Sequence, residues 1–133
     1  VAAALVLGMI LLETIADNQQ WRFQSARKAM AASGGPLEGD YARGFLDKGL
    51  WSWSRHPNYL AEQGVWIAFY LFSVAASGQW INWSICGCLL LVILFRGSSE
   101  FSEEISARKY PEYSVYRQKT ARFLPVGRLL GRR

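Results

Sequence analysis

The stretch Gln63–Phe95, QGVWIAFYLFSVAASGQWINWSICGCLLLVILF, decides how the rest of this chain is read, because no charged side chain occurs anywhere in it. One bilayer crossing takes about 20 apolar residues. The run is therefore long enough for two short spans, with Ser77-Gly78-Gln79 as the turn between them. A hairpin buried in a soluble domain is the competing reading, but 133 residues supply little mass to cover one. The pattern predicts a helix from Pro57 to about Ala76 and another from Trp80 to Phe95, with Trp80 and Trp83 at the membrane interface.

Upstream, Val1–Ala16 reads as a further membrane helix that turns polar at Glu13, Asp17 and Gln20, which share one helical face. It is predicted to run to Ala32, where Ser33-Gly34-Gly35-Pro36 stops it. Residues 33–56 read as a structured loop interrupted by Gly39, Gly44 and Gly49. Residues 57–96 read as the hairpin and residues 97–127 as short polar helices, broken at Tyr110-Pro111 and ending near Phe123-Leu124-Pro125. A frayed Arg128–Arg133 tail, able to touch anionic lipid, is expected beyond them. The fold class expected is all-α, an integral membrane helical bundle of three membrane helices plus short cytoplasmic helices. The apolar start at Val1, without signal-peptide features, points to the C-terminal part of a larger multi-span protein whose N-terminal helices are missing.

The formal charge of +5 does not indicate nucleic acid, because the basic residues flank apolar spans. They crowd residues 17–60 and 96–133, and the turn at 77–79 has none, which puts both basic regions and the C-terminus on the cytoplasmic side. No metal site is expected: there is one histidine, and Cys86 and Cys88 sit among apolar residues. No glycine-rich dinucleotide fingerprint or phosphate-binding loop occurs.

The chemistry concentrates in Ser54-Arg55-His56-Pro57-Asn58-Tyr59-Leu60-Ala61-Glu62, at the mouth of a membrane helix. Asn58 and Glu62 share a face, and an ionisable group one turn into a span is costly unless paired or functional. Glu62 is expected either to neutralise Arg55 or another basic residue, or to face a ligand. Glu13 and Asp17 are expected to find partners among Arg22, Arg55 and Arg122, or to share in a pocket. There acids take ribose or amine groups and arginines take phosphate. Trp51, Trp53, Tyr59, Tyr110 and Tyr116 are candidates to stack on a flat ring.

This block, followed by an apolar hairpin, Glu103-Glu104, Tyr113-x-x-Tyr116 and Phe123-Leu124-Pro125, resembles the C-terminal superfamily of the steroid 5-alpha-reductases. The match is to the bacterial branch called domain of unknown function 1295, which Glu13-x-x-x-Asp17-x-x-Gln20 also resembles. The resemblance implies a membrane-bound, NADPH-dependent reductase of a carbon–carbon double bond in a steroid-like or other lipid. It implies cofactor contacts at Asp17, Arg55, His56, Asn58, Tyr59, Glu62 and Tyr110, with Arg122 for phosphate. The residues that polarise the substrate in that family lie on earlier helices, so no catalytic residue is assigned here. Two alternatives stay open. Membrane methyltransferases of the isoprenylcysteine carboxyl type share an Arg-His-Pro-x-Tyr motif and hold S-adenosylmethionine, and a non-catalytic membrane scaffold would keep the fold alone.

Overall fold

A computed structural model describes residues 1–126. The expectation for the Arg128–Arg133 tail falls outside the described residues. Among the described residues five α-helices follow one another: α1 (Ala2–Ala32), α2 (Gly39–Arg43), α3 (Pro57–Ser77), α4 (Ser84–Lys109) and α5 (Tyr113–Lys119). A 3-10 turn at Gly49–Ser52 lies between α2 and α3. The helices α1, α3 and α4 are each long and apolar enough to cross a membrane, and the chain is an all-α membrane protein.

The ends of these helices follow local chemistry. Pro57 opens α3, where its missing N–H costs no hydrogen bond. Gly78 closes α3 in the left-handed conformation, φ +66°, with its N–H on the Val74 carbonyl at 2.8 Å. Asn82 Oδ1 accepts from the Ser84 N–H at 3.0 Å and organises the entry to α4. The helix starts there, four residues after Trp80, because residues 80–82 are occupied by that turn.

At the other end, α4 continues well beyond Arg96, where the apolar pattern ends, and runs unbroken to Lys109. Gly97-Ser98-Ser99 are poor helix formers but contain no proline. Ser99 is buried and its hydroxyl bonds the Arg96 carbonyl at 2.9 Å. The helix ends only at Tyr110, which is extended ahead of Pro111. The apolar part of α4 thus spans the membrane, while Arg96–Lys109 projects past it as a charged rod.

Helices α1 and α3 pack along a seam of small side chains. Ala16, Ala61 and Ala68 are each 0% exposed. Between the last two, a Cβ on Gly64 would lie 2.6 Å from Met9 Sδ. Without a hydrophobic drive inside lipid, close backbone approach of this kind holds membrane helices together. On α4, Leu89, Leu90, Ile93 and Leu94 are 57–68% exposed, a lipid-facing stripe that would be out of place in water.

The polar end of the bundle has its own small core, Phe45, Tyr113 and Tyr116, with the Phe45 ring edge-on to Tyr113 at 5.2 Å. The strand-like segment before α3 is tied to the chain end by a parallel bridge between Ser54 and Ala121. The Arg55 and His56 N–H groups donate to the carbonyls of Ala121 and Arg122 at 2.9 and 3.1 Å. This clasp brings the motif at 54–62 against α4 and α5.

Candidate functional site

Glu103 organises the polar end. It is 0% exposed, on the part of α4 that projects beyond the apolar span. Arg55 donates to it through Nε at 2.8 Å and through a terminal nitrogen at 3.2 Å, and His56 Nε2 lies 2.9 Å from its Oε1. Arg117 Nε at 3.2 Å and an Arg122 terminal nitrogen at 3.6 Å complete the set. The remaining Arg55 donor bonds the carbonyls of Arg117 and Thr120 at 2.5 and 2.6 Å. Burial alone disfavours the charged carboxylate, but hydrogen bonds from His56 and Arg55 outweigh it and hold the Glu103 carboxyl down near 2. Three guanidiniums against one carboxylate leave the cluster net positive.

This arrangement corrects the expected pairings. Arg55 does not neutralise Glu62, and neither Arg55 nor Arg122 pairs with Glu13 or Asp17; both turn to Glu103. The backbone clasp holds Arg55 and Arg122 on the α4 side, out of reach of the acids on α1. Asp17 instead accepts from Asn58 Nδ2 at 3.0 Å. Glu62 forms no ion pair among the described residues and lies within electrostatic reach of Glu13.

Beside this cluster, α1, α3, α4, α5 and the loop at 44–51 line a half-open cavity of about 380 Å³, within the ~300–1,000 Å³ of small-molecule sites. Arg55, His56, Asn58, Tyr59 and Tyr110 all line it. Asp17 joins through Asn58, and Arg122 stands behind the wall on Glu103. Glu62 is not part of the lining, so that expected contact falls outside the site. Being one full turn further into α3 than Asn58, it sits deeper along the span.

The wall is aromatic and fixed. The His56 ring stacks on Tyr59 at 5.2 Å, and Tyr59 packs on Phe95 at 4.5 Å. Trp51 is held at both ends, its indole N–H on the Ala16 carbonyl at 3.1 Å and its own carbonyl accepting from Tyr116 at 2.5 Å. Burial pushes the Tyr113 phenol up to about 12 and that of Tyr116 up as well, so both remain neutral hydrogen-bond donors. Gly44 is required at its place: at φ +88°, its Cβ would fall 2.1 Å from the Tyr110 ring.

Several lining residues were not singled out in sequence as contacts, among them Gln20, Gln24, Ser102, Ser106 and Lys109. Only Gln20 carried a signal, as the third polar residue on the Glu13–Asp17 face. Three buried side-chain oxygens, Gln20 Oε1, Asn58 Oδ1 and Asp47 Oδ1, have no hydrogen-bond partner among the described residues; the first two belong to residues of the cavity wall. The described residues hold no group of three or more metal-ligating side chains.

The fold and cavity define a helical membrane protein with an aromatic, amide-lined site at one end of its bundle. A family model described as "Protein of unknown function (DUF1295)" matches residues 1–120, and the chain belongs to that family. It is 44% identical over 131 residues to "Uncharacterized protein C594.04c" of Schizosaccharomyces pombe, a match covering 94% of this chain and 38% of the relative. The chain thus spans well under half the length of that relative. No solved structure matches.

Proposed function

We propose that this protein is a membrane-bound, NADPH-dependent reductase acting on a carbon–carbon double bond of a lipid, with the cofactor held in the cavity at the polar end of the bundle. The observation that carries the reading is a cavity walled by flat rings, Trp51, Tyr59 and Tyr110, beside the cluster of arginines on Glu103. The residues present fit the cofactor: Trp51, Tyr59 and Tyr110 offer faces for a ring, and the net positive cluster around Glu103 favours a phosphate-bearing ligand nearby. The resemblance of Ser54–Glu62 to the steroid 5-alpha-reductase superfamily supplies the reaction class.

When bound, NADPH supplies the hydride. The chain's own part is to bind and orient. Asn58, held by its bond to Asp17, lines the cavity. The Arg55–Glu103–His56 network fixes the floor, and His56 in turn holds the Tyr59 ring. The three apolar helices support a site beside the membrane, where a lipid would reach it without crossing water. With the basic residues around it, the site belongs on the cytoplasmic side.

The test is thermal stabilisation of the detergent-solubilised full-length protein by NADPH and by S-adenosylmethionine in separate titrations. A ligand at 100 times its dissociation constant adds about 2.7 kcal/mol. Stabilisation by NADPH is expected. A response to S-adenosylmethionine alone assigns the cavity to methyl transfer, and no response to either leaves the scaffold.

A further inference from the structure

We propose that the outward face of α1 carries a site for an anionic phospholipid, with the acyl chains along Leu7, Leu11 and Ile15 and the phosphate on Arg22. The site lies on the flank of the bundle, away from the cavity, and does not rest on the cofactor reading above.

Helix geometry sets the face. Leu7, Leu11, Ile15, Asn18 and Arg22 recur at intervals of three or four residues and so form one stripe along α1. Every one of them is exposed. Ala16, buried in the seam with α3, and Gln20 and Gln24, in the cavity wall, lie on the opposite side of the helix. The apolar half of the stripe suits acyl chains. Its polar half suits a headgroup. Arg22 lies four residues, about 6 Å, beyond Asn18, and a headgroup layer is about 5–8 Å thick. Asn18 offers an amide at the level of the glycerol esters. Trp21, 68% exposed beside Arg22, is the residue type that settles at this depth.

Charge selects the headgroup. Arg43 is engaged by Asp40, Asp47 and Glu112, and Arg55, Arg117 and Arg122 by Glu103. Arg27 donates to the Tyr41 carbonyl. Arg22 makes no ion pair among the described residues. Its neighbours one turn away on α1 are Asn18, Gln19, Ser25 and Ala26, and none is acidic. Lys28, exposed and about 9 Å further along the axis, adds to the same field. An arginine can lay its stem on lipid and hold a phosphate through two N–H groups. A zwitterionic lipid brings its own cation to that phosphate. A net negative one, such as phosphatidylglycerol, does not, and so answers the unpaired charge of Arg22.

The experiment reconstitutes the full-length protein in phosphatidylcholine vesicles. They contain a small, equal fraction of phosphatidylglycerol or phosphatidylcholine brominated near the ester end of its acyl chains. Bromine quenches tryptophan only at close range, and the Trp21 share is the difference between wild type and Trp21→Phe. Brominated phosphatidylglycerol is expected to quench that share about fivefold more strongly, the enrichment that one basic side chain gives near an anionic surface. Arg22→Gln, with its own Trp21→Phe control, should remove the excess, and raised salt should reduce it. Both side chains are exposed, so the unfolding midpoints should hold. Equal quenching by the two lipids overturns the proposal. So does an excess that survives Arg22→Gln, which then belongs to the surface charge as a whole. Quenching by neither lipid means that protein covers this face, and overturns it as well.

Discussion

Replacing Glu103 by Gln tests the organisation of the polar end most directly. The change keeps the shape and removes one charge. Oε1 takes Arg55 Nε at 2.8 Å and His56 at 2.9 Å; Oε2 takes Arg55 at 3.2 Å, Arg117 at 3.2 Å and Arg122 at 3.6 Å. A glutamine amide can serve one of these groups with its oxygen, but its NH2 then faces donors on the other. The Arg55 side chain, 9% exposed, is left as a buried cation without its counter-ion. Removing one partner from a buried pair costs about 3–5 kcal/mol, and a charge pair at about 4 Å is worth about 4 kcal/mol at an effective dielectric of 20. The two estimates agree. At about 2–4 °C per kcal/mol, the midpoint of thermal unfolding, followed by tryptophan fluorescence, should fall by about 10 °C. The neighbouring Glu104→Gln is the control: it is 53% exposed with a single contact to Arg108 at 3.8 Å, and should cost under about 0.5 kcal/mol. Acid supplies a second readout. The Glu103 carboxyl is depressed from its ordinary 4.5 to about 2, so the unfolded chain binds its proton first. Its stabilisation is complete above about pH 4.5 and fades as pH falls toward 2. Glu103→Gln should lack that component. A Glu103→Gln midpoint within 1 °C of wild type would refute the reasoning.

Three further outcomes are expected. Asn58→Ala removes the bond to Asp17 and an amide side chain from the cavity wall; NADPH affinity should drop about tenfold, while Glu62→Ala, outside the cavity, should stay within about twofold, both by titration. Gly44→Ala must place a Cβ against the Tyr110 ring at a left-handed φ; a loss of about 1–3 kcal/mol in unfolding and weaker nucleotide binding should appear together. Ala61→Leu overfills the seam between α1 and α3 and should lower the unfolding midpoint by the equivalent of about 1–3 kcal/mol.

The Glu103–Glu104 pair shows where reading a sequence runs out. The two residues are adjacent and chemically identical, yet one is wholly buried among guanidiniums and the other faces water. Neighbours on a helix point about 100° apart, and which direction is inside depends on where α3, α5 and the clasp at Ser54–Ala121 lie. For the same reason Asn58 and Glu62, legible as sharing one face, part company in space: one turn separates a cavity wall from a deeper position on the span.

From the sequence alone came the three spans, the breaks at Gly78 and Pro111, and the segment in which the polar chemistry collects. These depend on the length of apolar runs and on backbone preferences, both local properties of the chain. Only the tertiary structure decided that Arg55 serves Glu103, 48 positions away, that Gln20 meets Asn58 at one cavity, and that Lys109 rather than Arg122 reaches it. Ion pairs and cavities are chosen by distance and burial, and those exist only once the helices have packed.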